Sequence, residues 1–217
     1  MGELTEKQRN RIIASLQRLT NDKLQYNKKT KQVDIISRAK DKDIKLTEGT
    51  ALIRGLVDHD KTVTINYSNL IAGSAGPEGG KPNFFNGIGD NTDVTFGPDV
   101  AGPTQVANSN DERAKSEEQP DFILLGQELS HAFAQMDGAS IPETTGKKMN
   151  SYTTSTGQKA TEWVGLEELT AHGIGNYGRR YVNKRRDHYP NENSLRREHK
   201  LPVRVAYELH PGDLKKR

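Results

Sequence analysis

The run "FILLGQELSHAFAQMDGAS", residues 122–140, places the tightest constraint on how this chain can fold. Ile123, Leu124, Leu125, Leu129, Ala132, Phe133 and Met136 recur at helical spacing and would bury an amphipathic helix over 122–137. Gly138 then ends the helix, because glycine turns the chain left-handed without steric cost. Gln127, Glu128, Ser130 and His131 stand close together within this apolar frame. A carboxylate and an imidazole carried by a core helix call for a chemical reason.

The rest of the chain narrows what that reason can be. Its 217 residues suit one compact domain with a helical appendage, divided here as a helical segment over 1–45 and a main domain over 46–217. With 32% apolar and 28% charged residues, no window approaches the roughly 18 uncharged apolar positions of a membrane span. The N-terminus, "MGELTEKQRNRIIASLQRL", carries acids and no continuous apolar stretch, unlike a cleavable secretory leader. With no cysteine, any metal must be held by nitrogen and oxygen. The net charge of +3 includes a basic block, Arg179–His188, and a basic tail. Acids at Glu192, Glu198 and Glu208 follow, and no stacking aromatics are spaced along the block, so a solvated face is expected rather than a nucleic-acid surface.

Residues 3–26 read as an amphipathic helix through Leu4, Ile12, Ile13, Leu16 and Leu19, followed by short strands in the charge-rich block up to about residue 46. Ala51–Val57 and Thr62–Tyr67 read as the two arms of a hairpin around Asp58–Lys61. The stretch 71–116, dense in Gly, Pro, Asn and Asp, reads as a long surface loop with one strand at Asp93–Phe96. Its glycines lack the lysine-hydroxyl pair of a phosphate cradle. Thr161 is expected to cap a helix bearing Glu162, Glu167 and Glu168 near its N-terminus. Pro202 breaks a short helix, and Val203–Tyr207 runs extended.

Zinc hydrolysis on a helix needs ligands at i and i+4, which share a face, and a glutamate at i+1 to take the proton from water. Glu128 and His131 hold the base and second-ligand positions, whereas Gln127 stands where the first histidine would be. Downstream, either Glu167 or Glu168 could add a carboxylate ligand. Arg204 and Tyr207 stand in an Arg-x-x-Tyr arrangement suited to a tetrahedral oxyanion. His172, one turn beyond Glu168, would join a metal site if that glutamate does; otherwise it is a polar residue before the terminating Gly173. His59 falls in the expected hairpin turn, exposed, and His188 and His210 have no second ligand at useful spacing.

The succession "LLGQELSHAFAQMDG", "LEELTAHGIG" and "ENSLRREHKLPVRVAY" resembles the bacterial effector zinc metalloproteases over roughly residues 50–210. Its most specific part is the last run, through Glu192, Asn193, Arg196, Glu198, His199, Leu201, Pro202, Arg204 and Tyr207. The resemblance implies an α+β, zincin-like domain with a small mixed or antiparallel sheet beside an active-site helix. It implies zinc as cofactor, Glu128 as general base, and His131 with Glu167 or Glu168 as ligands. Arg204 and Tyr207 would form an oxyanion pair like that of the clostridial neurotoxin proteases. His199 would orient a ligand, assist the leaving group, or make a structural hydrogen bond.

By the same resemblance the protein is delivered by a specialised secretion system and acts in the target-cell cytoplasm. Its substrate would be a target-cell protein, a host kinase among the family's known targets, and a secretion chaperone or immunity protein would be a further partner. Gln127 departs from the family pattern, since an amide oxygen is a poorer zinc donor than imidazole. Three accounts stay open at the level of sequence: a substitution made to silence a toxic protein, a metal-free pseudoprotease, or a glutamine that ligates. A non-catalytic binding module using the basic block is the rival from another class.

Overall fold

The protein is described by a computed structural model over residues 4–77, 84–108, 111–142, 145–175, 186 and 188–207. Most of the basic block and the whole C-terminal tail lie outside these residues, as does His210. The fold is α+β, with five helices and three sheets among the described residues.

One helix, α3 (Asp121–Met136), runs through the centre. Every residue from Phe122 to Met136 is buried, so this helix is covered on all sides rather than floating on a core with one apolar stripe. Helix α1 (Glu6–Leu19) packs on it through Ile12, Leu16 and Leu19, and its entry is fixed by a capping box between Thr5 and Gln8. Arg11 on α1 donates to both carboxylate oxygens of Asp121, at 2.6 and 3.1 Å, tying the first turn of α3 to the N-terminal helix. The helix stops at Leu19 rather than at residue 26, and β1 (Lys23–Asn27), within the stretch read as helix, pairs with β2 (Gln32–Ser37), in the block where short strands are expected.

Ala51–Val57 is not a strand. It belongs to helix α2 (Thr47–Val57), which buries Leu52, Ile53 and Leu56. The apolar positions fit a helical face as well as a strand, and the deciding cap is remote in sequence. Glu198 accepts hydrogen bonds from the Glu48 and Gly49 backbone amides, satisfying the donors at the N-terminus of α2. His59 is therefore not in an exposed hairpin turn. Its side chain is 3% exposed, with Nε2 3.1 Å from the Asp137 carboxylate.

The segment 71–116 is also more ordered than a surface loop. It supplies β4 (Gly73–Pro77), β5 (Thr92–Phe96), β6 (Thr104–Asn108) and β7 (Asp111–Glu117). β5 sits between β3 (Val63–Tyr67) and β4, parallel to the first and antiparallel to the second, and buries Val94 and Phe96 against α3. A second sheet has the order β10-β6-β7-β8-β9, with β8 (Lys147–Thr153), β9 (Lys159–Gly165) and β10 (Val203–Ala206). Thr161 does not cap a helix; it lies inside β9, and α4 (Leu166–His172) starts only after Gly165. The short helix α5 (Glu192–Glu198) precedes Pro202 and β10, as the sequence predicts. No described helix is long and apolar enough to cross a membrane.

Candidate metal and catalytic site

A cavity of about 600 Å³ opens between α3, β4, α4 and the end of β10. Gln127, Glu128, His131, Glu167, Glu168, His172, Arg204 and Tyr207 all line it. Each element delivers its share for a local reason. On α3, Glu128 and His131 lie three residues apart and so face the same way. On α4, Glu167 and Glu168 occupy the first turn, where the helix dipole favours carboxylates, while His172 lies in the last, before Gly173 closes the helix in a left-handed conformation (φ 68°). Asn193 of α5 fixes the approach of β10, its amide accepting from Arg204 N at 2.6 Å and donating to Arg204 O at 2.8 Å.

Strand β4 forms the facing wall. Gly73 lets this strand approach closely: a Cβ would stand 2.4 Å from Glu128 Oε1 and displace that carboxylate. Gln135, two turns along α3, donates to Ala75 O at 3.2 Å and fastens the strand to the helix.

The adjacent glutamates are placed differently. Glu167 Oε1 lies 2.5 Å from His131 Nδ1, whereas Glu168 Oε2 lies 3.6 Å from His131 Nε2 and 3.5 Å from His172 Nδ1. A carboxylate on Nδ1 fixes the ring and leaves the Nε2 lone pair outward, the usual support for an imidazole ligand. One donor atom each from His131, Glu168 and His172 lies within 4.8 Å of the other two, so this cluster can hold a metal ion. Its two imidazoles and one carboxylate are a borderline nitrogen-oxygen set that suits zinc. His172 adds an orphaned atom: its Nε2 is buried without a hydrogen bond, 3.5 Å from Glu192 Oε2.

Burial and mutual contact shift the titratable groups of the cavity strongly. Burial, reinforced by Glu168, Glu167 and Glu192, pushes Glu128 up to about 7 against the opposing pull of His131. Burial disfavours an imidazolium at His131, but Glu167, Glu168 and Glu128 outweigh it and raise the ring to about 10. At His172 burial and the nearby Arg204 win, lowering it to about 4, so this ring stays neutral, its Nδ1–H donating to Glu168 O at 2.7 Å and its lone pair on Nε2. Burial and the surrounding carboxylates lift Tyr207 to about 12, which keeps its phenol protonated.

Behind the cavity, Glu192 is fully buried between two arginines, accepting from Arg196 Nε at 2.6 Å and Arg204 Nη1 at 3.1 Å. Arg204 also donates to Ala206 O and Tyr207 O, which sets its guanidinium beside the Tyr207 ring. Gln127 lines the same cavity, with its amide oxygen 3.5 Å from Gln119 Nε2. His199 does not line it. Its ring packs on Phe122, with ring centroids 4.5 Å apart. The sequence signal for His172 is its i+4 spacing from Glu168, and that for Glu192 is its place in the run 192–207.

Fold and cavity together define an α+β domain with an acid-rich, histidine-bearing site able to take a cation. The chain belongs to the Peptidase_M91 family of effector proteins, whose model matches residues 20–207. No curated protein matches it. Among solved structures, the apo form (zinc removed) of the botulinum neurotoxin type C light chain is 14% identical, covering 59% of this chain and 40% of that one, with a TM-score of 0.43. The botulinum neurotoxin serotype C1 light chain protease is 16% identical over 52% and 28% (TM-score 0.38), and the type D light chain 17% over 74% and 32% (TM-score 0.34). The chain thus spans well under half the length of these proteins.

Proposed function

We propose that the cavity is the active site of a zincin-like zinc peptidase whose ligands are His131, Glu168 and His172. The convergence of these three donors beside Glu128 carries the reading. His172 takes the part of the imidazole that Gln127 lacks, so Gln127 need not silence the site. Zinc, when bound, would supply Lewis-acid chemistry and acidify a water.

The chain's own residues do the rest. Glu128 takes the proton of the attacking water on its carboxylate and returns it to the departing amine. Glu167 holds His131 in the ligating tautomer. Tyr207, protonated, and Arg204, with N–H groups to spare after its backbone and Glu192 bonds, would face the oxyanion. The substrate backbone would lie extended along β4. The protein substrate belongs to a target cell into which the effector is delivered, with a host kinase as the class the family resemblance favours.

The second reading, a pseudoprotease that binds without cutting, rests on Gln127. Cleavage of a peptide library by the zinc-loaded protein, set beside Glu128→Gln and Gln127→His, separates the two. The peptidase reading expects cleavage that Glu128→Gln lowers at least about a hundredfold. Cleavage by Gln127→His alone would establish the pseudoprotease reading for this sequence.

A further inference from the structure

The hairpin of β8 and β9 leaves one face open. Register pairs Met149 with Trp163, Ser151 with Thr161, Thr153 with Lys159 and Lys147 with Gly165. Trp163 is 65% exposed and Met149 53%, side by side on the same face. Lys147 and Lys159 flank them, both exposed, and Lys159 Nζ reaches Thr153 Oγ1 at 3.0 Å on that face. Arg113, exposed on β7, is paired with Thr153 and extends the cationic row.

Within the β8–β9 hairpin no acid shares this face. Glu162, the only acid on β9, points to the opposite face, where it accepts from Asn150 Nδ2 at 2.8 Å and Tyr207 N at 2.7 Å. Neither Lys147 nor Lys159 makes an ion pair among the described residues. β9 is also the outermost strand of its sheet among the described residues, seven residues long, with no proline and no bulge in its register. Edge strands are normally blunted by such devices.

We infer that β9 and the Met149–Trp163 face form a docking surface for an acidic, extended polypeptide segment, which adds to the sheet edge and seats an apolar side chain on Trp163. Backbone pairing suits the edge, alternate side chains suit the pleat, and the lysines select acidic neighbours. The strand runs directly through Gly165 into Glu167 and Glu168. Trp163 thus stands four residues from the cavity wall, at most about 14 Å of extended chain. A segment held here belongs to a protein whose scissile bond lies in the cavity; that role as a substrate-docking surface rests on the peptidase reading, whereas the docking does not.

Trp163 is the chain's single tryptophan, so its emission reports on this face alone. The full chain is titrated with an acetylated (Glu-Val)4 peptide, a (Lys-Val)4 peptide, and phosphatidylserine-containing vesicles, with hydrogen exchange of β9 followed in parallel. The expected result is a blue shift with the acidic peptide only, protection of β9 amides, and weakening by salt. Lys147→Glu with Lys159→Glu should lower that affinity about tenfold or more, while Glu128→Gln leaves it unchanged. No shift with the acidic peptide, an equal shift with the basic one, or a shift with vesicles alone would overturn the inference. Because no step needs metal or turnover, a failed peptidase assay does not decide this one.

Discussion

Replacing Glu192 by glutamine keeps the shape of the side chain and removes its charge. The carboxylate is wholly buried against Arg196, itself 2% exposed, and Arg204, 11% exposed. Loss of one partner from a buried ion pair costs about 3–5 kcal/mol, because the remaining charge cannot return to water. The same network gives an independent figure. Burial alone would raise the Glu192 carboxyl, but Arg204, His172 and Arg196 override it and lower it from 4.5 to about 2. At 1.36 kcal/mol per unit this corresponds to roughly 3 kcal/mol. The folded-state value is depressed, so the contribution is complete above pH 4.5 and disappears as pH falls through about 2. Urea unfolding at pH 7 should show Glu192→Gln less stable by about 3 kcal/mol or more, with the gap closing in acid. A variant within about 1 kcal/mol of the parent, or a gap independent of pH, would refute the account of this network.

Three further outcomes follow from the cavity. Gly73→Ala drives a methyl into Glu128, so peptidase activity should fall at least about tenfold with zinc content retained, read by turnover and metal analysis. In chelator-treated protein the raised His131 value means stability that is full below pH 6.5 and declines as pH climbs through about 10; urea midpoints across that window, compared with His131→Ala, measure it. Glu198→Gln replaces one of the two oxygens that accept from the α2 amides by an NH2 donor, leaving an amide without its partner, and should cost about 1 kcal/mol by the same denaturation assay.

The sequence carried the helix that bears the site, because fifteen consecutive positions of α3 are buried and its apolar residues repeat at helical spacing. It also carried the ends of the motif: Gly138 does adopt positive φ (67°), and Pro202 does separate α5 from β10. Legibility failed where the deciding contact is remote. "ALIRGLV" is helical because Glu198, some 150 residues away, completes its N-terminus. "GSAGP" has almost no strand propensity, yet it is β4, since Gly73 lets the strand approach Glu128 closely. Thr161 looks like a cap until Trp163 and Val164 continue the alternation of β9. Within the site, the pattern put the carboxylates and His131 in one place but could not tell Glu167 from Glu168. Only the side-chain directions put Glu167 on Nδ1 and Glu168 between the two imidazoles. His199 stands out in sequence only by its place in the run, with no local physical signal, and its ring packs on Phe122.

Zinc binding by the purified chain, measured by mass spectrometry and competitive titration, tests the ligand set most directly when run on His131→Ala, His172→Ala and Gln127→Ala in parallel. The account predicts one zinc per chain, kept in Gln127→Ala, lost in His131→Ala, and held at least about a hundredfold more weakly in His172→Ala. Zinc that is unaffected by His172→Ala, or that departs with Gln127→Ala, would contradict it.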